Sequence, residues 1–266
     1  MAKKELDLSF LLPVYETLEL PSKGKFYTKN PPLKDGLIKI RAMTTKEEKI
    51  IDAINGNTFY QNWCDIIRLC VNSAFDAKDL TFNDFIYLLF YLRVKSYGSM
   101  YSITTKCDEC GKENKLSINI GEFETKFLFD DIIEPFEIEL PVSNIKILTK
   151  IPRMRDIIES SRKSYSETKI KGKKVSTETF MRAICTTSMV LPNSDNTVLE
   201  NPEDMLTILE IYEMLPANDS LYLKKFMNKF DHGLLEPILV TCKECGELFK
   251  QYPVITPDLF RPDTRE

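Results

Sequence analysis

Histidine is nearly absent from this sequence, since His232 is the only one among 266 residues. A single histidine excludes the zinc-protease motif HExxH, and the H-x-E motif of nucleobase deaminases does not occur either. A Ser/His/Asp or Cys/His catalytic arrangement would have to use His232, which stands between Asp231 and Gly233 at the predicted end of a helix. The sequence therefore predicts a protein that is not an enzyme and has no small-molecule substrate.

Long apolar runs and an excess of positive charge are missing as well. No segment reaches the roughly 18 apolar residues of a membrane span, and the opening stretch MAKKELDLSFLLPVYE holds too short an apolar run for a secretion signal. The formal net charge is -4, so no overall positive field draws the chain to nucleic acid or to an anionic membrane. We expect a cytoplasmic protein without a membrane span, for which nucleic acid is an unlikely partner.

Cysteine occurs seven times, an odd number that does not suit a disulfide framework. Four of the seven form two C-x-x-C pairs, Cys107 with Cys110 and Cys242 with Cys245, in the closely similar stretches TKCDECGK and TCKECGE. Each pair lies between two predicted strands, and two such turns can hold four thiolates around one zinc ion at about 2.3 Å. The sequence therefore predicts one shared zinc with a structural role, because four sulfur ligands leave no position for a catalytic water.

The alternative for each pair is a redox-active dithiol. A thioredoxin-type pair starts a helix after a strand, whereas the residues between these cysteines lie between two strands. The redox alternative predicts one disulfide for each pair and no metal, and the zinc alternative predicts the reverse.

The distance between the two pairs determines the predicted architecture. Residues 111–241 separate them, whereas common zinc ribbons place their pairs about twenty residues apart. We predict an α+β fold with an N-terminal helical region and a four-cysteine zinc ribbon that is interrupted by a mostly helical insert. The predicted parts are an N-terminal arm over 1–33, a strand and helical region over 34–98, a split zinc ribbon with a C-terminal tail over 99–122 and 236–266, and the insert over 123–235.

Capping patterns and hydrophobic periodicity predict the helices before the first cysteine pair. Either Thr44 with Glu47 or Thr45 with Glu48 forms a capping box after a predicted strand at 36–43. A later helix, capped by Thr81 and Asp84, is apolar over most of its circumference. Such a helix is expected at the centre of the core.

The insert is predicted from strand alternation followed by helical patterns. Residues 135–151 indicate a hairpin, and residues 153–164 and 176–190 indicate helices. The basic stretch RKSYSETKIKGKK at 162–174 has two interpretations. It is either a solvated loop or a contact for an acidic partner or a nucleic-acid backbone.

Four stretches together carry a resemblance to a known family: LELPSKGKFY from Leu18, IKIRAMTTKEEKII from Ile38, LRVKSYG from Leu92, and PDLFRPD from Pro257. With the two cysteine pairs, they resemble the baseplate hub and hub-assembly family of contractile-tailed bacteriophages. The resemblance covers roughly 18–120 and 236–263, and residues 40–48 are its most specific part.

The resemblance implies a non-enzymatic structural or assembly protein that binds other tail and baseplate proteins. It also implies a location in the host cytoplasm during assembly, and in the virion tail baseplate for a protein that stays in the particle. Extended arms and tails suit strand addition or groove docking on partner subunits. The candidate partner-binding residues are Pro21, Lys23, Gly24, Tyr27, Arg41, Phe260 and Arg261. The alternative function is that of a nucleic-acid-binding zinc-ribbon protein.

Overall fold

The computed structural model describes residues 14–55, 58–128, 132–171, 176–192, 195–234, 238–251 and 255–260, without the side chains of 169–171 and 238. The α-helices are α1 Thr45–Asp52, α2 Phe59–Cys70, α3 Phe82–Tyr97, α4 Met154–Lys171, α5 Thr177–Cys185, α6 Met205–Met214 and α7 Ala217–Met227. The strands are β1 Glu16–Glu19, β2 Leu37–Ile40, β3 Met100–Lys106, β4 Glu113–Asn119, β5 Thr125–Lys126, β6 Phe136–Glu139, β7 Lys146–Thr149, β8 Thr186–Val190, β9 Val198–Glu200, β10 Gly233–Leu234, β11 Ile238–Thr241 and β12 Leu248–Gln251. This mixture of separate helices and strands confirms the α+β prediction.

All strand pairs in the described ranges are antiparallel. Four of the sheets have two strands, formed by β1 with β2, β3 with β4, β5 with β10, and β11 with β12. The fifth sheet has four strands in the order β6-β7-β8-β9. The predicted strands on either side of both cysteine pairs and the predicted hairpin at 135–151 are confirmed.

Helix α1 begins at the first of the two predicted capping boxes. The backbone N–H of Thr44 donates to Glu47 Oε2 at 2.6 Å, and the Thr44 hydroxyl accepts from the backbone N–H of Lys46 at 3.4 Å. Glu47 also forms an ion pair with Arg41 at 3.1 Å, in which both side chains are largely buried. The pair ties the end of β2 to the start of α1.

Helix α3 is the centre of the core, as its sequence predicts. Its apolar side chains are buried on several sides, since α2, strand β10 and the short C-terminal helix at 257–260 all contact it. The hydroxyl of Thr81 accepts from the backbone N–H of Asp84 at 3.3 Å and so caps the helix. The Asp84 side chain does not cap the helix, because it points away from α3 and contacts the N-terminal segment.

The Asp84 carboxylate is fully buried and is hydrogen-bonded on both oxygens. Oδ1 accepts from the backbone N–H of Ser22 at 3.0 Å, and Oδ2 accepts from the Tyr27 hydroxyl at 2.5 Å. The Tyr27 oxygen in turn accepts from the backbone N–H of Thr81 at 2.9 Å. Burial and the neighbouring Asp84 charge hold the pKa of Tyr27 well above its ordinary value.

Residues 14–33 are therefore part of the folded core, and the expected extended arm does not hold for this described range. After β1 the chain makes a series of turns, and Leu20, Phe26 and Leu33 are buried in the same cluster as α3. Gly24 has a φ of 75°, and a Cβ at this position would lie 2.2 Å from the carbonyl oxygen of Lys34. The close approach of the two chain segments therefore requires glycine.

The insert is joined to this core by both backbone and side-chain contacts. Met154 N–H donates to the Leu80 carbonyl at 2.9 Å, immediately before α3. The Arg153 guanidinium donates to the carbonyl of Phe26 at 2.8 Å and forms an ion pair with Glu134. One continuous cluster of buried side chains extends from Leu20 through the insert to Phe260.

The described part of the insert contains helices α4 to α7 together with the four-stranded sheet. The helix predicted over 176–190 ends at Cys185, and the chain continues as β8 because Thr186 and Thr187 are β-branched and suit a strand. The loop interpretation of 162–174 is wrong for 162–171, which belong to α4. Residues 172–175 lie outside the described ranges.

Replacing Tyr27 by Phe is expected to lower the free energy of unfolding by about 2 kcal/mol, because a buried carboxylate and a backbone N–H both lose their partner. Urea denaturation measures this change. Tyr91→Phe is the matched control, since the Tyr91 hydroxyl donates to the exposed Glu16 at 2.9 Å. Equal losses for the two variants would contradict the structural importance of the buried network.

Candidate metal centre

Two hairpins carry the cysteine pairs in equivalent six-residue turns. The turn between β3 and β4 is closed by a bond from Cys107 N–H to the Lys112 carbonyl at 3.0 Å. In the turn between β11 and β12, Cys242 N–H donates to the Glu247 carbonyl at 2.8 Å. The glycines after the second cysteines have φ angles of 68° and 76° and allow both chains to reverse in the same way.

The four sulfur atoms meet at one place, within 4.8 Å of one another. The closest distances run across the pairs, with 3.7 Å from Cys107 Sγ to Cys245 Sγ and 3.7 Å from Cys110 Sγ to Cys242 Sγ. A tetrahedron with metal–sulfur bonds of about 2.3 Å has edges of about 3.8 Å. The donor set and its dimensions therefore fit one tetrahedral metal ion that is shared by both pairs.

The turns also direct backbone N–H groups at the sulfurs. Hydrogen bonds led by the N–H of Cys245 lower the pKa of the Cys242 thiol to about 6. The Glu247 N–H favours the Cys245 thiolate, but partial desolvation by the surrounding turns and hydrogen bonds with the neighbouring cysteines outweigh it and raise the pKa of Cys245 to about 12. A cation bound between the four sulfurs would stabilise their thiolate forms.

Asn114, which the sequence analysis did not identify, connects the two turns. Its side chain is buried, and Nδ2 lies 3.4 Å from Cys242 Sγ and donates to the Lys112 carbonyl at 3.1 Å. Its Oδ1 accepts from the backbone N–H of Lys243 at 2.9 Å. Nothing in a single sequence marks this asparagine, because Cys242 and Lys243 belong to a hairpin more than a hundred residues away.

The apolar core beneath the sulfurs is small. It consists of Cys107, Val240, Cys242 and Phe249, with Leu116 packed at its side, and it is separate from the main cluster. Two hairpins with so little buried apolar surface need a further stabilising contact. Cys110 and Cys245, in contrast, are exposed to solvent.

Arg93 fixes the bases of both hairpins to α3. This buried guanidinium donates to the Gly98 carbonyl at 2.5 Å and to the Met100 carbonyl at 3.0 Å, where β3 begins. It also donates to the Leu259 carbonyl at 2.5 Å, in the short C-terminal helix that follows β12. One side chain therefore positions the chain before the first turn and after the second.

The candidate partner-binding residues have contacts within the chain in this structure. Tyr27 and Phe260 are buried, and Phe260 packs on Trp63 with ring centroids 4.6 Å apart. The remaining described candidates occupy the N-terminal turns, at Pro21, Lys23 and Gly24, or the ion pair with Glu47, at Arg41. Arg261 lies outside the described residues. These positions support the fold, and a role in partner binding stays a prediction.

A cavity of about 540 Å³ lies between the start of α3 and the insert. His232 lines it, and its Nδ1 donates to the Phe230 carbonyl at 2.8 Å while Nε2 lies 3.0 Å from the Thr81 hydroxyl. The imidazole therefore links the end of the insert to the cap of α3. Its Nε2 is 3.7 Å from Asp84 Oδ1, so it extends the buried network.

The fold and the site define an α+β protein in which two distant hairpins meet at a four-cysteine centre that is suited to a structural metal. The family described as T4 bacteriophage base plate protein matches residues 12–256, and the chain belongs to this family. No curated protein and no solved structure matched the chain. The prediction of a phage baseplate protein is confirmed, while membership of the hub stays a prediction.

Membership of the family gives the protein a structural role in the virion tail, in contact with other phage proteins. Within the described ranges, no helix is both long enough and apolar enough to cross a membrane.

Replacing Arg93 by Met is expected to lower the free energy of unfolding by about 3 kcal/mol, because three backbone carbonyls lose their donor. Arg93→Lys should recover only part of this loss, since one ammonium group does not reproduce the planar fork. Thermal or urea unfolding provides the measurement. Arg68→Met, at an exposed position on α2, is the control, and an equal effect there would contradict the proposed anchoring.

Proposed function

We propose that the chain is a non-enzymatic structural or assembly protein of the phage tail baseplate, in its hub or inner part. It acts by binding other tail proteins in the host cytoplasm during assembly. The observation that carries this proposal is the family match over residues 12–256, and the built four-cysteine centre is consistent with it. A chain whose distant hairpins meet at one site suits a component that must keep its shape while other subunits assemble on it.

We further propose that the centre holds a structural zinc ion with Cys107, Cys110, Cys242 and Cys245 as ligands. Zinc favours a tetrahedron of sulfurs, and structural sites supply all four ligands from the protein. Binding to zinc-finger peptides is worth about 10–16 kcal/mol at neutral pH, which sets the scale of stabilisation for two hairpins with a very small core.

The alternative of a nucleic-acid-binding zinc ribbon is not favoured. The chain has a net charge of -4, and the charged residues of the two turns are of mixed sign, so they form no positive stripe for phosphates. The family match indicates a protein component of the baseplate instead.

Purified protein is expected to contain about one zinc ion per chain. Cys107→Ser and Cys242→Ser should each abolish zinc binding, because three thiolates no longer close the site. Elemental analysis after gel filtration tests this, and Cys64→Ala, which removes a buried cysteine of α2, is the control that should keep its zinc. Folded wild-type protein that contains no zinc and one disulfide in each pair would establish the redox alternative.

The proposed function predicts that the tagged chain recovers baseplate proteins from infected cells. The recovered proteins should exceed those of a tag-only control and should remain after nuclease treatment, because protein contacts hold the complex. Mass spectrometry identifies them. Recovery of nucleic acid without tail proteins would support the alternative function and overturn this one.

A further inference from the structure

Helix α6 has an outer face on which large apolar side chains and glutamates are exposed to solvent. Its inner side chains, Ile208, Leu209 and Tyr212, are buried in the main cluster. The α6 outer face comprises Leu206, Thr207, Glu210, Glu213 and Met214, which fall on one side of the helix at a spacing of 100° per residue. Leu206 is 61% exposed and Met214 is 74% exposed.

The charge on this face is of one sign. Glu210 and Glu213 are exposed, and no ion pair or side-chain hydrogen bond to either is present in the described part of the chain. The basic residue seen to contact α6 is Lys163, which reaches Met205 Sδ at 3.3 Å and is paired with Glu159 at 2.8 Å. The α6 outer face therefore combines large apolar side chains with negative charge that the described residues leave without an ion pair.

Helix stability does not account for these residues. Acidic side chains stabilise a helix near its N-terminus, whereas Glu213 lies in the last turn of α6, where its negative charge interacts unfavourably with the helix dipole. Solvation likewise does not favour Leu206 and Met214 at exposed positions. A contact with another molecule would explain both features.

The charge decides which kind of molecule can cover this face. A symmetric dimer through this face would place glutamates against glutamates, and nucleic acid or an anionic membrane would be repelled for the same reason. We propose that the α6 outer face binds a basic protein surface with apolar pockets on another baseplate subunit. Leu206 and Met214, about 12 Å apart along the helix, fill the pockets, and lysine or arginine between them meets Glu210 and Glu213.

This inference rests on the proposed function, because it names the surface through which another baseplate protein is bound. Its test uses the full chain with a photo-crosslinking amino acid at position 206 or 214 in infected cells. The same amino acid at Tyr222, an exposed aromatic position on α7, is the control. Mass spectrometry identifies both the crosslinked protein and the crosslinked segment.

The expected result is a crosslink from positions 206 and 214 to a phage tail protein, in a segment that contains lysine or arginine. The double variant Glu210→Lys with Glu213→Lys should reduce the crosslink yield about tenfold, because opposed charges become like charges. Glu137→Lys, an exposed glutamate on β6, should leave the yield unchanged.

Three outcomes would overturn the inference: a yield no higher than at position 222, a crosslink to a second copy of the chain, or a crosslinked segment without basic residues. The proposed function is tested separately by affinity recovery of the unmodified chain. Tail proteins recovered there without a crosslink at 206 or 214 would reject this surface and keep the function. No recovery of tail proteins at all would reject both.

Discussion

The carboxylate of Asp84 is the interaction on which the arrangement of the chain depends. It lies at the start of the central helix, is fully buried, and accepts one hydrogen bond from Ser22 and another from Tyr27. Through the Thr81 hydroxyl the same network reaches His232 at the end of the insert. A buried charge is stable only when its hydrogen bonds are satisfied. The network therefore connects three segments that are far apart in the sequence: the N-terminal turns, the start of α3 and the end of the insert.

Helix α3 connects this buried network to the candidate metal centre. Arg93 follows Asp84 by nine residues, about 14 Å along the helix axis. Its carbonyl partners Gly98 and Met100 lie at the start of the first cysteine hairpin, and Leu259 lies in the short helix after the second. The cysteines of the two pairs are separated by up to 138 positions. Loop-closure entropy rises only with the logarithm of loop length, so extending a common ribbon to this separation costs about 2 kcal/mol. A long insert therefore costs little stability. Contacts with α3 also hold the two hairpins close to each other, so the metal is not the only link between them.

Local patterns make part of this structure predictable from the sequence. The cysteine turns with their flanking strands and the hairpin at 135–151 depend on residues within a few positions of one another, and the sequence predicts them correctly. The same kind of pattern offers two capping boxes for α1, and the structure has the one at Thr44. Asp84 contacts Ser22 and Tyr27, Arg93 contacts Leu259, and Asn114 contacts Cys242 and Lys243. These contacts join residues that lie far apart along the chain, so a single sequence gives no signal for them. Strand β8 was missed for a different reason, since its apolar Met189 also continues the helical spacing of α5.

The same long-range contacts explain why the N-terminal segment is folded although its composition is typical of a free arm. Short stretches that contain lysine, proline and glycine suggest a free arm. In the structure, however, the backbone at Gly24 packs directly against the backbone at Lys34, which is possible because Gly24 has no side chain. Leu20 and Tyr27 are buried, so the segment cannot leave the core without exposing them and breaking the bonds to Asp84. Releasing the N-terminal turns for a partner would therefore lose the burial of Leu20 and the hydrogen bonds to Asp84. Partner binding through Pro21, Lys23 or Gly24 stays a prediction, and it would use these residues in their folded positions.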